Sequence, residues 1–257
     1  MQAWARTLRR CAASSRVTLP SKFSERRQAL SVNSSAAMNC RELKQQARKD
    51  IKQALRGLTQ EQMADESARI GAQVLDMRAY ARAGTLGIYL HCAKLREVDT
   101  TAVLRDALHQ GKRCYVPVVE DKNSNMKFLH LDDMACLRTV PPFDILEPTD
   151  TYDDGTPRQD ALQSGTCFDV LLVPGLGFDT SGRRLGRGGG YYDKMITGLQ
   201  RLAQAAGREP PLLVALSYSA QVVGAVPVDE HDQLVDVLVT AAGVYGCTDR
   251  GRAALQL

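Results

Sequence analysis

Phe168-Asp169-Val170-Leu171-Leu172-Val173-Pro174-Gly175-Leu176-Gly177-Phe178-Asp179, then Gly182-Arg183-Arg184-Leu185-Gly186-Arg187-Gly188-Gly189-Gly190-Tyr191-Tyr192-Asp193, is the stretch that decides the fold. The apolar run from Phe168 to Val173 is short and stops at Pro174-Gly175, as a buried strand does. The segment from Tyr191 to Ala206 has helical periodicity and is stopped by Gly207. A strand, a glycine-rich loop and a helix therefore follow one another in a single unit.

Outward from this unit the same alternation recurs. Downstream, Leu212 to Ser217 and Val235 to Thr240 predict strands. Upstream, Thr85 to Leu90 predicts a strand. Asp99 or Thr100 then caps a helix carrying Val103, Leu104, Ala107 and Leu108, closed by Gly111, and a second strand runs from Arg113 to Val118. A further strand spans Met126 to Leu131, followed by a proline-rich loop through Pro141, Pro142 and Pro148. Leu43, Ala47, Ile51, Ala54, Leu55 and Leu58 mark an amphipathic helix from Arg41 to Leu58, and Thr59-x-x-Gln62 is a capping box opening the next. The pattern predicts an α/β fold, an open and mainly parallel sheet with helices on both faces. Ligands of such sheets sit where loops leave the carboxyl ends of strands, here after Leu90, Val118 and Pro174.

Composition narrows the function classes. A chain of 257 residues, 44% apolar and 24% charged, buries a sizeable core. No apolar stretch approaches the roughly 20 residues of a membrane span. The net charge of +4 is concentrated in residues 1–39, which hold seven Lys/Arg against the single acid Glu25, so the remainder gives no electrostatic case for nucleic acid. That leader, rich in Arg, Ser and Ala, has the profile of a mitochondrial transit peptide or of a plain disordered tail. A start at Met38 would yield a cytoplasmic form. Residues 40–245 are expected to form one catalytic domain and 246–257 a tail. The seven cysteines show no C-x-x-C pair and the four histidines no ligand spacing, which argues for reduced thiols and against a zinc site.

The glycine-rich segment carries the chemistry. Glycines let backbone N–H groups converge on an anion, the start of a helix adds the positive end of its dipole, and Arg184 and Arg187 bring forked donors matched to phosphate oxygens. The spacing is not that of a Walker loop, since no Lys-Ser/Thr pair follows Gly182. Nor is it a dinucleotide fingerprint, since Tyr191 and Thr180 stand where Gly or Ala is needed.

The run Arg184 to Asp193, preceded by Pro174-Gly175-x-Gly177-Phe178-Asp179, resembles the signature of the 5-formyltetrahydrofolate cyclo-ligase (5,10-methenyltetrahydrofolate synthetase) family. The resemblance extends from about Lys44 to Thr240. It takes in Lys44-x-x-x-Arg48, Glu97-Val98-Asp99-Thr100, Gly111-Lys112, Asn125-Met126 and Val226-Pro227-Val228-x-x-x-Asp232. It implies a fold resembling the NagB/RpiA/CoA-transferase-like one, and a monomer acting on a reduced folate with ATP and Mg2+. It also implies roles. Lys44, Arg48 and the loop Arg184, Leu185, Gly186, Arg187, Gly188, Gly189, Gly190, Tyr191 and Tyr192 would bind ATP. Arg187 and Tyr191 would act in catalysis and, with Gly188, Gly189 and Gly190, also meet the folate. Leu90, Glu97, Met126 and Phe143 would line the folate pocket, and Asp193 and Asp232 would hold magnesium. Without the resemblance, Lys44 and Arg48 read as solvated helix residues, Asp193 as a helix-start acid, and Leu90, Met126 and Phe143 as core.

In the implied reaction, the formyl oxygen on N5 attacks the γ-phosphate and N10 then closes the ring. Phosphate leaves with the former formyl oxygen. Arg187→Ala or Asp193→Ala would then lower turnover much more than stability. Two departures stand out: the segment His91 to Arg96 is longer than the family's usual one, and Gly189 replaces a lysine found in some members. The competing readings are an RNA-binding module, which lacks an RNP1 pattern, and a small-molecule kinase, which lacks a base beside the glycine loop.

Overall fold

A computed structural model describes residues 39–140 and 145–256. The leader, Met38 and residues 141–144, with Pro141, Pro142 and Phe143, lie outside the described residues.

Two helices open the described chain, each begun by a reciprocal cap. In α1 (Cys40–Arg56) the Asn39 side chain accepts from the Glu42 amide while Glu42 accepts from the Asn39 amide. Thr59 and Gln62 do the same for α2 (Gln60–Asp76), as their spacing predicts. After the short α3 (Arg78–Arg82) come β1 (Thr85–Gly87), α4 (Thr101–His109), β2 (Arg113–Val119) and β3 (Met126–Leu131). A hairpin of β4 (Leu137–Val140) and β5 (Ile145–Pro148) precedes β6 (Val170–Val173). The chemistry-bearing stretch then forms a miniature hairpin, β7 (Gly177–Phe178) with β8 (Arg184–Leu185), and enters α5 (Tyr191–Ala205). The chain closes with β9 (Leu212–Ser217), β10 (Val237–Thr240), β11 (Gly243–Gly246) and α6 (Asp249–Gln256).

Seven strands form one sheet in the order β11-β10-β9-β6-β1-β2-β3. The five inner strands run parallel, and β3 and β11 are antiparallel edges. Burial on both faces explains the continuous apolar runs of β6, β9 and β10, every residue of which is buried. Alternate side chains go to opposite faces. Val170 and Leu172 join Ile51, Ile70 and Leu104 under α1, α2 and α4, while Leu171 and Val173 join Met195, Ile196 and Leu199 of α5.

The structure departs from the sequence reading at four places. β3 pairs antiparallel with β2, Cys114 opposite Leu131, because the short connection between them cannot make a parallel crossover. β1 ends at Gly87; Ile88 still donates to the Tyr115 carbonyl at 2.8 Å before the chain leaves the sheet. The expected proline-rich loop contains the β4–β5 hairpin, with Pro148 at a strand end, a position that proline tolerates. The expected tail is no tail: β11 extends the sheet, and α6 docks so closely that a Cβ on Gly251 would lie 1.9 Å from the Asp236 carbonyl oxygen.

Candidate active site

The glycine-rich loop leaves the carboxyl end of the sheet and is shaped by what holds its carbonyls. The Leu185 carbonyl accepts from the Leu176 amide at 2.8 Å and the Gly186 carbonyl from Arg48 Nε at 2.9 Å. The Gly189 carbonyl accepts from the Ser124 hydroxyl, and the Gly190 carbonyl from the Lys194 amide at 3.1 Å. Among the described residues, none of the five amides from Gly186 to Gly190 has an acceptor. Four carbonyls tied back and five amides left open at the start of a helix suit an anion, as a backbone nest does. Gly188 and Gly190 adopt φ of +111° and +70°, a backbone that an L side chain would strain. A Cβ on Gly189 would lie 2.5 Å from the Tyr191 ring, so that ring position requires glycine there.

The predicted cations reach this nest with partners already in hand. Lys44, on α1, has its ammonium 2.7 Å from Asp229 Oδ2 and 2.5 Å from Asp232 Oδ2. Burial pulls its pKa down, but the hydrogen bonds and charges of the two carboxylates outweigh that and raise it. Arg48, one turn on, lies across Gly188. Arg184 differs from the sequence expectation. Its side chain is 3% exposed and engages Asp193 Oδ1 at 2.6 Å, so its guanidinium braces the site from behind rather than facing the groove. Its Nε is buried with no partner. Tyr192 packs beside it, with the guanidinium 5.9 Å from the ring centroid.

Arg187 turns the other way, over Glu97. Its Nε is 3.5 Å from Glu97 Oε1, and its terminal nitrogen donates to the Leu95 carbonyl. Burial raises the Glu97 pKa, against the lowering effect of Arg187 and of the Cys92 amide, which donates to Oε2 at 3.0 Å. The long segment before Glu97 is folded into a 3-10 turn, Ala93–Leu95, so its extra residues wrap the carboxylate. Next to it, His91 Nδ1 is 3.0 Å from Asp99 Oδ1; that bond raises the His91 pKa and holds Asp99 well below the usual carboxylate range.

The turn between β2 and β3 grips the loop from outside. Tyr191 Oη donates to the Asp121 carbonyl at 2.8 Å, Ser124 holds Gly189, and Lys194 Nζ donates to Asn125 Oδ1. Asp121 organises the turn by accepting from the Asn123 amide at 2.7 Å and from Asn125 Nδ2 at 2.5 Å. Ser124 itself sits at φ +63°, an uncommon backbone for a residue with a side chain.

Together these elements enclose a groove of about 1200 Å³. α1 contributes Lys44 and Arg48, the loop contributes Gly186, Gly188 and Tyr191, and Met126, Asp193 and Asp232 also line it. Leu90 is half-buried against the core, and Glu97 stands behind Arg187; neither is among the groove's lining residues. Phe143 lies outside the described residues. Asp193 and Asp232 are linked through the neighbouring Gln233 amide, which donates to Asp193 Oδ1 at 3.2 Å. Among the described residues no three His, Cys, Asp or Glu side chains converge as a metal cage. Two carboxylates on an anion-binding groove do fit magnesium, a hard cation that completes its shell with phosphate oxygens and water. Sequence reasoning missed Asp229, although its Asp-x-x-Asp spacing to Asp232 was visible, and missed the roles of Asp121, Ser124, Asn125 and Lys194, which only the hairpin reveals.

Residues 40–241 match a sequence profile of the 5-formyltetrahydrofolate cyclo-ligase family. The mitochondrial 5-formyltetrahydrofolate cyclo-ligase of Arabidopsis thaliana is 38% identical over 219 residues, covering 82% of this chain and 79% of its own. The Mus musculus 5-formyltetrahydrofolate cyclo-ligase is 33% identical, with 78% and 95% covered. The NMR structure of Aquifex aeolicus 5,10-methenyltetrahydrofolate synthetase superposes with a TM-score of 0.60 at 28% identity, covering 82% of this chain and 94% of that one.

Proposed function

The chain belongs to the 5-formyltetrahydrofolate cyclo-ligase family, and from that premise we propose that it closes 5-formyltetrahydrofolate to 5,10-methenyltetrahydrofolate with ATP and magnesium, releasing ADP and phosphate. One observation carries the nucleotide part: five consecutive open amides, Gly186 to Gly190, with the Leu185, Gly186, Gly189 and Gly190 carbonyls already bonded to other groups. Such a nest fits phosphate oxygens, and the start of α5 adds its dipole.

The chain's own residues position and neutralise. Lys44 keeps its third N–H for a phosphate oxygen while Asp229 and Asp232 hold the other two. Arg48 and the nest fix the triphosphate so that its γ-phosphorus faces the formyl oxygen, whose attack forms the new P–O bond as ADP leaves. N10 then attacks the formyl carbon and gives up its proton to the departing phosphate as the C–O bond breaks. Arg187, half-exposed beside Glu97, can turn its guanidinium to the charge building on the transferred phosphoryl group. Glu97 then becomes free to accept from the aminopyrimidine edge of the pterin. Asp193 and Asp232 would hold magnesium, whose charge would offset that of the phosphates. No protein nucleophile is required.

Purified protein given 5-formyltetrahydrofolate, magnesium and ATP is expected to develop the methenyl chromophore, and to fail when ATP is left out. Turnover without ATP, or none with it, would contradict the proposal. For residues 1–39 the proposal is a mitochondrial transit peptide, as their basic, acid-poor composition suggests. A reporter fused behind residues 1–39 should enter mitochondria, and one starting at Met38 should not.

A further inference from the structure

We propose that Lys194 and Arg201, on the groove side of α5, receive the carboxylates at the glutamyl end of the folate and so determine how strongly that end is recognised. The assignment rests on the folate reading above and adds to it two residues to which that reading gives no role.

Charge pairing divides the groove into two parts. Around the amide nest three cations have their anions, Lys44 with Asp229 and Asp232, Arg184 with Asp193, and Arg187 with Glu97, and Arg48 is held by the Gly186 carbonyl in the place that the triphosphate reading gives it. Along α5 the cations are unmatched. Both Lys194 and Arg201 line the groove and are exposed, and among the described residues neither has a carboxylate within ion-pair distance. Lys194 is held only by the neutral amide oxygen of Asn125. It stands in the first turn of a helix, where a positive charge opposes the dipole, and is therefore a position that gains from an incoming anion.

Arg201 follows seven residues on, about 10 Å along the same helix face, with Thr197 and Gly198 between them on the groove. Leu162 and Gln163 line the groove here too, with Asp160, whose Oδ1 is engaged by the Leu162 amide at 2.9 Å. The end near the nest, with cations and carboxylates interleaved, suits a triphosphate that brings its own divalent cation. The α5 end, where Lys194 and Arg201 are unpaired among the described residues and Asp160 is turned to the Leu162 amide, suits an anion that brings no cation of its own. A folate ends in a glutamate whose carboxylates are ionised at neutral pH, and Met126, expected to meet the folate, lines the same groove as Lys194 and Arg201.

The test compares 5-formyltetrahydrofolate with 5-formyltetrahydropteroate, the same molecule without its glutamate, in wild type, Lys194→Ala, Arg201→Ala, the double variant and Lys194→Arg. Binding of each folate is measured by calorimetry without ATP, and KM for ATP is measured separately. Arg201→Ala is expected to lose about fivefold in affinity for the glutamate-bearing substrate while matching wild type on the pteroate and in KM for ATP, the double variant to lose about tenfold on the glutamate-bearing substrate alone, and Lys194→Arg to recover most of the Lys194 loss. Equal losses on both folates, or no loss on either, would overturn the assignment. A rise in the KM for ATP in Arg201→Ala, without loss on either folate, would overturn it too and assign that cation to the nucleotide. A wild type that binds neither folate would overturn the functional reading itself, which keeps the two failures distinct. Arg201→Ala, on an exposed helix face, keeps the test decisive should Lys194→Ala perturb the hairpin.

Discussion

Lys44 Nζ can donate three hydrogen bonds, and Asp229 and Asp232 take two of them. Its charge is thus oriented before any ligand arrives. The other paired cations fall into two kinds, and substitution should separate them. Arg187 is partly exposed, so Arg187→Ala is expected to cut turnover at least a hundredfold while the melting temperature falls by only the smaller amount due to the lost Glu97 and Leu95 contacts. From sequence alone the same is expected of Asp193→Ala. The structure changes that expectation: Asp193 neutralises a guanidinium whose side chain is 3% exposed. Removing it leaves a buried charge unpaired, at a cost of about 3 kcal/mol, and a melting curve should show the drop alongside the lost activity. Arg187→Ala carries a second signature. Arg187 opposes the rise that burial imposes on the Glu97 pKa, so without it Glu97 stays protonated to higher pH and the acid limb of the activity profile moves upward. For the His91–Asp99 pair the signs run differently. The raised His91 pKa contributes stability fully below its ordinary 6.5 and loses it as pH rises through the raised value, while the lowered Asp99 pKa preserves the pair far into acid. His91→Gln is therefore expected to lower the melting temperature at about pH 5.5 and to matter little at about pH 9, and matched melts at the two pH values check it.

At the scale of elements, the β2–β3 hairpin holds the glycine-rich loop through Asp121, Ser124 and Asn125. Asn125→Ala removes the amide that bridges Asp121 and Lys194, so amide exchange at Gly188 to Gly190 should quicken and KM for ATP rise, while exchange in β6 and β9 stays as in wild type. This grip was not legible in the sequence, because a turn of Asp, Asn and Ser says nothing of what it will touch. The helices were legible: the apolar periodicity of Leu43 to Leu58 announces α1, Thr59/Gln62 announce α2 through local chemistry, and glycines mark the ends of α4 and α5, whereas the Asn39/Glu42 cap of α1 came from the structure. The inner strands were legible too, since a strand buried on both faces has a run of apolar residues. What escaped were elements set by distant partners. The two-residue strands β7 and β8 exist because the buried Asp179 gathers the amides of Ser181, Arg183 and Val226, and β11 with α6 because they find β10 and Asp236. The same distinction runs through the site. Lys44, Arg48, Asp193 and Asp232 were nameable from their motifs, whereas that Arg184 points inward depends on its meeting Asp193 and Tyr192 across the folded loop, which no spacing describes.

Across the whole molecule, five parallel strands bring their carboxyl ends to one side, and the loops leaving them there build the groove. The C-terminal segment is part of that frame. Asp236 accepts from the Leu213 amide at 3.0 Å and from Thr248 Oγ1 at 2.7 Å, joining β9, the start of β10 and the lead into α6. A chain ending at residue 245 should accordingly melt roughly 10 °C lower, and Gly251→Ala should approach that loss, because its methyl has no room against Asp236. The groove's central property is the set of amides that the frame leaves open. Nitrogen–proton NMR of the backbone, recorded as magnesium and a non-hydrolysable ATP analogue are added, observes those amides directly. Gly186 to Gly190 should show the largest shifts in the molecule, saturating together with nucleotide binding. Nucleotide binding that leaves those five resonances unmoved would contradict the account.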